Sequence, residues 1–320
     1  MSFNFAIMGP GDIAGKFVEA VGRVENCAIT AVASKSQQRA AAFADRHGIA
    51  AAYGSYEKML RSEKIDCVYL ATIQSAHYEL AKLCVQNNVP VLCEKAMFLT
   101  RAEAEEVFAL ARKKRVFMME AMWSCFLPAV QQARQLVRDG AIGEVMFFDC
   151  SMGYYFDPET NKRLYDPSLG GGTAADLTVY NYELMEYFLG GEMQKFDCMS
   201  TWGPSGVDVA NQVSVQYKNK LASLSSTCAA SLDSKLVLAG SKGRIIIPQS
   251  HAAEELFLYG NDGKLVRHFK DEQTSNGFVY EIKEVIRCVS TGLVESETVP
   301  HRVTTNSAAV IETILKNKPA

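Results

Sequence analysis

Residues 3–14 read FNFAIMGPGDIA, and this stretch decides the fold of the first part of the chain. An apolar, strand-like run ends at Gly9, and a helical pattern begins three residues later. The segment fits G-x-G-x-x-A, in which Gly9 permits a tight turn, Gly11 lets a pyrophosphate approach and Ala14 allows close packing. The alternative is a turn that uses glycine only for its shape. The predicted dinucleotide contacts here are Gly9, Gly11, Asp12, Ile13 and Ala14.

Strand and helix patterns continue to alternate up to about residue 120. The strand-like segments are apolar throughout, which is typical of a parallel sheet covered by helices on both faces. Such alternation predicts a doubly wound α/β domain with right-handed crossovers. The predicted strands are 3–9, 27–33, 65–71, 89–93 and 115–121, and the predicted helices are 12–24, 36–48, 55–63, 77–88 and 101–114.

After residue 120 the pattern changes to closely spaced strands that follow one helix near residues 128–139. Gly-Asn-Asp-Gly at 260–263 is a strong hairpin signal. We therefore expect an α+β second domain with an open, mainly antiparallel sheet. Its predicted strands are 144–156, 194–203, 209–218, 221–230, 235–240, 244–248 and 255–260. The expected division is a dinucleotide-binding Rossmann domain at 1–120 and a substrate-binding and dimerisation domain at 121–320.

The composition narrows the class of partner. Hydrophobic residues make up 48% and charged residues 22%, with a net charge of −3, which is typical of a soluble globular protein. The sequence has no cluster of basic residues, so we do not expect nucleic acid or an anionic membrane as a partner. Nine cysteines without a C-x-x-C pair predict neither a disulfide framework nor a zinc site, and we expect no metal and a cytoplasmic location. The histidines without a metal-binding cluster are His47, His251, His268 and His301.

The end of the second predicted strand bears on the choice of dinucleotide. An NAD site usually has Asp or Glu about 20 residues past the glycines, bound to the ribose 2′-hydroxyl. Here the strand ends in Ser34 and Lys35, Arg39 follows, and no acid lies between Glu25 and Asp45. Hydroxyl and cationic groups suit a 2′-phosphate, so NADP is favoured and NAD is the alternative. Solvated surface positions for both cations are the competing interpretation.

Several longer motifs together carry a family resemblance. They are GPGDIA from residue 9, ATIQSAHYELA from 71, CEKAM from 93, MEAMWSCFLPA from 119 and RLYDPSLGGGTAADLTVY from 163. With them the chain resembles, along its whole length, the Gfo/Idh/MocA family of NAD(P)-dependent oxidoreductases. MEAMW with RLYDP and LGGG is similar to the branch that contains dimeric dihydrodiol dehydrogenase. The resemblance implies an active site at the nicotinamide, between a Rossmann domain and an open sheet.

The resemblance also implies the roles of individual residues. Lys95 is expected at the reacting carbon, with Glu94 beside the cofactor. Tyr180 is expected to donate or accept the proton, and Asp176 to orient substrate hydroxyls. Further cofactor contacts are expected from Thr72, Ile73, Gln74 and His77, although a local hydrogen bond at a helix start is an alternative role for His77.

The residue types fit the chemistry without the family. Hydride transfer from a secondary alcohol needs a base for the hydroxyl proton, and the reverse reaction needs an acid. A lysine in a dry pocket exchanges protons readily, or stabilises an oxyanion when charged. Asp176 and Tyr180, at i and i+4 after three glycines, share one helix face. The plain alternatives are a lysine that reaches solvent and a structural hydrogen bond between Asp176 and Tyr180.

The substrate is expected to be a sugar, cyclitol or dihydrodiol with a secondary hydroxyl, or the matching carbonyl. An inositol or amino sugar, and a non-catalytic dinucleotide-binding regulator on the same fold, are the alternatives. An aromatic stripe is otherwise a sign of core packing, and Phe278 alternates with Tyr280 as in a strand or pocket edge. The residues expected to line the substrate cleft are Trp123, Tyr154, Arg163 and Phe278.

The sequence departs from the family pattern at two positions, and its second predicted sheet has a face that needs a partner. Ala96 replaces the family's proline, so we expect a trans peptide before it, or strain held by its surroundings. Thr178 replaces a common glycine and is expected to crowd the neighbouring helix or the substrate. An open sheet leaves a broad face to be covered, so RIIIP at 244–248 and nearby segments predict a homodimer through the C-terminal sheet.

Overall fold

The structure, a computed structural model, describes residues 2–319. Over that range no helix has the length and apolar character that crossing a membrane requires. The chain divides into two compact units. The first contains the residues up to Ala121 together with Asn276–Ala308, and the second contains Met122–Ser275 together with the residues from Ala309 onwards. The sequence analysis expected a single boundary near residue 120 and did not predict that Asn276–Ala308 belongs to the first unit.

The first unit is built on six parallel strands in the order β3-β2-β1-β4-β5-β6. The order reverses between β1 and β4, which is the point where doubly wound sheets bind ligands. The α/β prediction is confirmed, but the three-residue β3 was missed because it is too short for a pattern. The strands are β1 (Phe3–Met8), β2 (Cys27–Ala33), β3 (Ala51–Tyr53), β4 (Cys67–Leu70), β5 (Val91–Cys93) and β6 (Met118–Glu120).

The helices of this unit follow local signals. Thr100 and Glu103 form a capping box at the start of α5, and Ser36 caps α2 through the amide of Arg39. The strand-like alternation expected at Phe278 is wrong, because Phe278 and Tyr280 lie on a helix, α8. The helices are α1 (Asp12–Val21), α2 (Gln37–His47), α3 (Tyr56–Ser62), α4 (His77–Gln86), α5 (Arg101–Lys114) and α8 (Phe278–Ser290).

The second unit is built on an eight-stranded sheet in the order β14-β13-β12-β11-β7-β10-β9-β8. Neighbouring strands are antiparallel except β7 and β10, which confirms the mainly antiparallel prediction. Its strands are β7 (Val145–Gly153), β8 (Lys195–Trp202), β9 (Asp208–Gln216), β10 (Leu221–Thr227), β11 (Lys235–Gly240), β12 (Gly243–Pro248), β13 (Glu255–Gly260) and β14 (Leu265–Lys270). Its helices are α6 (Pro128–Arg138) and α7 (Val179–Leu189), and the division between the units falls within α9 (His301–Lys316).

One face of the eight-stranded sheet is packed, and the other is open. Every residue of α7 is buried, and Ile245 and Ile247 of β12 are fully buried with it in the core of the second unit. Phe147 and Leu221 are paired neighbours on β7 and β10, and both belong to the open face, with 39% and 52% of their surface exposed. Of the isoleucine run in RIIIP, only Ile246 alternates outward.

Candidate active site

The two glycines of the turn after β1 differ in their surroundings, because Gly9 is packed against the backbone and Gly11 faces open space. Gly9 has φ +101°, and a Cβ there would lie 2.6 Å from the carbonyl oxygen of Ala71. Gly11 has φ −103°, and a Cβ there would meet no described atom within 4 Å. Ala14 is fully buried, as close packing of helix on strand requires.

The same turn fits the pyrophosphate of a dinucleotide. Gly11 is the N-cap of the ten-residue α1, and within the described chain no side chain caps this helix. The amide groups of its first turn, at Asp12, Ile13 and Ala14, are therefore available to an anion, and the helix dipole favours negative charge there. A backbone-only surface above Gly11 allows the close approach that a pyrophosphate needs.

The expected 2′-phosphate residues lie at the end of β2 and the start of α2. Ser34 is buried, and its hydroxyl accepts a hydrogen bond from the amide of Ser36 at 3.2 Å. Lys35 and Arg39 are both exposed. Both cations are therefore at the surface next to this turn, and the Ser34 hydroxyl shapes the turn through its hydrogen bond with the Ser36 amide.

Glu94 and Lys95 follow β5 directly, at the carboxyl end of the parallel sheet. Glu94 accepts hydrogen bonds from the Tyr69 hydroxyl and, at 3.3 Å, from the amide of Lys95. Burial raises the pKa of Glu94, and the nearby Glu120 raises it further, while the Tyr69 hydrogen bond and the Lys95 charge oppose the shift. The Glu94 side chain is therefore tied into the protein, next to a partly exposed Lys95.

The backbone after Lys95 is held from two sides. The peptide between Lys95 and Ala96 is cis, so the expectation of a trans bond is wrong. The Ala96 carbonyl lies 2.9 Å from Nδ1 of His77, and the Met97 amide donates to Glu120 at 2.8 Å. These contacts link the Lys95 turn to α4 and β6.

His77 is fully buried at the start of α4. Its Nδ1 faces the Ala96 carbonyl, and its Nε2 lies 3.0 Å from the carbonyl oxygen of Thr72. The ring thus joins two turns that follow β4 and β5, which fits the local hydrogen-bonding alternative for this residue. Thr72 and Ile73 are half-buried, and Gln74 is buried.

A carboxyl that sequence reasoning missed lies in the same unit. Glu281, in the first turn of α8, is fully buried, and neither carboxyl oxygen has a hydrogen-bond partner among residues 2–319. Burial raises its pKa well above the usual range, and the charge of Glu94 adds to the shift. The available signal was its spacing, since Glu281 lies four and seven residues before Val285 and Cys288 and so falls on the apolar face of the helix.

In the second unit, Asp176 and Tyr180 lie at the start of one continuous helical segment. Ala174–Thr178 form a π turn, with i to i+5 hydrogen bonds, that passes directly into α7. The sequence predicted a regular helix here. Tyr180 is 8% exposed, and Asp176 is half-buried.

The glycine run before this turn brings Arg163 to Asp176. The Gly172 amide donates to the carbonyl of Leu164 at 2.8 Å, and a Cβ on Gly171 would lie 2.5 Å from that same oxygen. The loop folds back closely because these glycines lack side chains. As a result, Nη2 of Arg163 lies 3.1 Å from Oδ1 of Asp176.

Aromatic side chains cluster next to Tyr180. Nε1 of Trp123 donates to it at 3.2 Å, and the His251 ring packs edge-on at a centroid distance of 5.8 Å. The Tyr154 hydroxyl lies 3.3 Å from Nδ1 of His251. The structure therefore groups Trp123 and Tyr154 with Tyr180, and adds His251, for which the sequence suggested no role. Phe278 is buried in the first unit.

Thr178 faces the sheet. It is 1% exposed, and its hydroxyl lies 2.6 Å from that of Ser226 and accepts from Asn211 at 3.2 Å. The expectation that Thr178 crowds the substrate or a neighbouring helix is therefore wrong, because these hydrogen bonds direct the side chain to β9 and β10.

Comparison with known proteins agrees with this architecture. Residues 3–122 match the oxidoreductase family with an NAD-binding Rossmann fold, and residues 130–246 match the GFO/IDH/MocA C-terminal domain. Trans-1,2-dihydrobenzene-1,2-diol dehydrogenase from Xenopus tropicalis is 33% identical over 92% of both chains. The Homo sapiens protein of that name is 28% identical over 99% of this chain and 97% of its own length.

Two solved structures share the whole fold. Aldose-aldose oxidoreductase from Caulobacter crescentus superposes with a TM-score of 0.89 at 21% identity, covering 99% of this chain and 97% of its own. A 3-ketoreductase from Actinomadura kijaniata, in complex with NADP and TDP-benzene, gives 0.87 at 21% identity, covering 98% and 97%. The chain therefore belongs to the Gfo/Idh/MocA family of dinucleotide-dependent oxidoreductases.

Proposed function

We propose that this enzyme transfers a hydride between NADP and a secondary hydroxyl or carbonyl carbon of a cyclic vicinal diol or sugar. Lys95, Tyr180 and Asp176 are its catalytic groups in this proposal. The observation that carries it is the environment of Tyr180. The Tyr180 hydroxyl accepts a hydrogen bond from Nε1 of Trp123, and the ion pair between Asp176 and Arg163 lies about one helical turn away. A phenol held in this way among aromatic rings suits proton exchange with a hydroxyl on a flat ring.

The bound dinucleotide supplies one step, the acceptance or return of the hydride at the reacting carbon. As that carbon loses hydride and its carbonyl forms, the hydroxyl proton passes to the phenolate oxygen of an ionised Tyr180; in reduction the neutral Tyr180 hydroxyl returns it. The Trp123 N–H stabilises negative charge on that oxygen. The Lys95 ammonium stabilises oxyanion character at the substrate oxygen. Asp176, oriented by Arg163, accepts a hydrogen bond from the neighbouring substrate hydroxyl.

The substrate class is supported by the relatives. Proteins named dihydrobenzenediol dehydrogenases match over nearly the full length of both chains, and their named substrate is a ring with two adjacent hydroxyls. Trp123, Tyr154 and His251 offer ring faces and edges to such a substrate. A sugar is the second candidate, because the structural neighbours are a 3-ketoreductase and an aldose-aldose oxidoreductase.

The preference for NADP is supported by Lys35 and Arg39, which are exposed at the start of α2. The pyrophosphate would rest on the amides that follow Gly11, and the 2′-phosphate would meet these two cations. The NADP of the 3-ketoreductase complex is a property of that protein, and here it supports the choice of cofactor to be tested first.

Turnover of trans-dihydrobenzenediol and of a panel of cyclitols and sugars with NADP tests the proposal, followed by absorbance of the reduced nicotinamide. We expect Tyr180→Phe to lower kcat by roughly 10²–10⁴-fold without weakening NADPH binding, because only the proton exchange is lost. Lys95→Ala should behave in the same way. Tyr187→Phe is the matched control, since Tyr187 is buried on the same helix but stacks on Arg134 at 3.9 Å. Normal turnover in Tyr180→Phe would remove the assigned role.

We further propose a homodimer that covers the open face of the eight-stranded sheet. Phe147 and Leu221 give this face an apolar centre, and Met199, 72% exposed, lies on the same side of β8. Light scattering at micromolar concentration should give twice the mass of the chain, and Leu221→Glu should reduce it to that of one chain. A monomeric wild type would contradict this assembly.

A further inference from the structure

The helical segment that carries Asp176 and Tyr180 is capped from another element. In the described chain, Thr173 at the N-cap position supplies no side-chain hydrogen bond to the π turn. Instead Oδ2 of Asp208, the first residue of β9, accepts from the Ala174 amide at 2.6 Å. A carboxylate at a helix N-terminus satisfies an amide and interacts favourably with the helix dipole.

The same carboxylate is linked to the far end of the π turn. Nδ2 of Asn211 donates to Oδ2 of Asp208 at 2.6 Å and also to the Thr178 hydroxyl at 3.2 Å. That hydroxyl lies 2.6 Å from the hydroxyl of Ser226. Both ends of the five-residue turn are thus tied to the sheet through one buried carboxylate and one amide.

The loop before the turn leaves room for Asp208 only because of a glycine. Gly172 has φ +114°, and a Cβ added there would overlap Oδ1 of Asp208. Asp208 is fully buried, and burial raises its pKa to about 6, although Asn211 and the backbone amides oppose the shift. The carboxylate is therefore held in a buried position where an ionised group costs folding stability, and its hydrogen bonds to Asn211 and to backbone amides oppose that cost.

We propose that Asp208 is a positioning residue for the active site, and that with Asn211 it holds Ala174–Thr178 in the π conformation that aims Asp176 and Tyr180. A π turn contains one residue more than an α turn, and one residue corresponds to about 100° of rotation about the helix axis. If the turn relaxed to the α form, the orientation of Asp176 relative to Tyr180 about the helix axis would change. Asp176 would then turn away from Arg163. The inference rests on the function proposed for Asp176 and Tyr180.

Two tryptophans make the test independent of turnover. The chain has only Trp123 and Trp202. In a Trp202→Phe background, Trp123 emission reports directly on its hydrogen bond to Tyr180. Tyr180→Phe in this background shows what loss of that bond looks like.

We expect Asp208→Ala to shift Trp123 emission towards that of Tyr180→Phe and to lower kcat on the order of 100-fold, as misplacement of catalytic groups by about 1 Å does. Asp208→Asn keeps one acceptor for the Ala174 amide and should recover part of both signals. The NADPH dissociation constant, a property of the first unit, should not change. Asp262→Asn is the matched control, because Asp262 is exposed in the turn between β13 and β14 of the same unit.

The outcomes separate this inference from the proposed function. Full turnover in Tyr180→Phe, with a Trp123 shift in Asp208→Ala, would overturn the role of Tyr180 and support the positioning effect. Wild-type emission and kcat in a folded Asp208→Ala protein would overturn the positioning effect, whatever Tyr180 does. If Asp208→Ala does not fold, the same two readouts on Asp208→Asn decide, and wild-type values in both refute the inference.

Discussion

Replacement of Gly11 by valine should weaken dinucleotide binding strongly and leave the fold intact. The backbone at Gly11, with φ −103° and ψ −177°, is extended and open to any residue. A Cβ there meets no described atom within 4 Å. The cost to the free energy of unfolding should thus stay within about 0.5 kcal/mol. The valine side chain would, however, occupy the space through which a pyrophosphate approaches the amides of α1.

The size of the binding loss follows from the hydrogen bonds that are displaced. A hydrogen bond to a charged group contributes about 1.5–3 kcal/mol, so loss of two such amide–phosphate bonds costs about 3–6 kcal/mol. Each 1.4 kcal/mol is tenfold in Kd, so NADPH affinity should fall by about 10²- to 10⁴-fold.

Gly9→Ala is the contrasting variant in the same turn. Its φ of +101° disfavours any side chain, and the new Cβ would lie 2.6 Å from the Ala71 carbonyl oxygen. Left-handed backbone costs roughly 1–2 kcal/mol and overpacking about 1–3 kcal/mol, so we expect a loss of about 2–5 kcal/mol in unfolding free energy.

Nicotinamide fluorescence titration and thermal unfolding of both variants check the pair of predictions. The expected pattern is a stable Gly11→Val protein with at least 100-fold weaker NADPH binding, and a destabilised Gly9→Ala protein. If Gly11→Val binds NADPH within about threefold of wild type, the dinucleotide does not approach over Gly11 and the cradle is wrongly assigned. If Gly9→Ala unfolds like wild type, the backbone argument is refuted.

Three further predictions concern other sites. Lys35→Ala combined with Arg39→Ala should weaken NADPH binding about tenfold at low salt and leave NADH binding unchanged, in parallel fluorescence titrations; an equal loss for both would assign the cations to the surface. Arg163→Met should lower kcat/KM about 3–10-fold, mainly through KM, because its partly exposed ion pair with Asp176 is lost. Glu281→Met should raise the free energy of unfolding in urea by about 1–3 kcal/mol at pH 8, because a buried carboxyl without a hydrogen-bond partner is removed. The folded-state pKa of Glu281 is raised, so Glu281 destabilises the fold more as the pH rises above the usual carboxyl range. The stabilisation by Glu281→Met should therefore be smaller at pH 5 than at pH 8. A stabilisation that does not depend on pH would contradict the raised pKa of Glu281.

Much of the first unit could be predicted because its signals are local. Residue spacing along a helix, a continuous apolar run and the Gly9–Ala14 motif all act within about 15 residues, so α5 was predicted at its observed bounds. The Lys95 and Tyr180 segments could be identified because several motifs together carry the family resemblance. The short β3 and helix α8 were missed, the first for lack of length and the second because the spacing of Phe278 and Tyr280 was interpreted as the alternation of a strand or pocket edge.

The sequence by itself determined the two fold classes, the nucleotide turn and the type of chemistry, because these depend on residue order and residue type. Only the tertiary structure decided which distant residues meet. Asp208 caps a turn 34 residues before it, and the carbonyl of His251, whose ring packs on Tyr180, accepts a hydrogen bond from Ser124, which is 127 residues away. Such contacts depend on strand order and on the closing of long loops, and no local pattern records them.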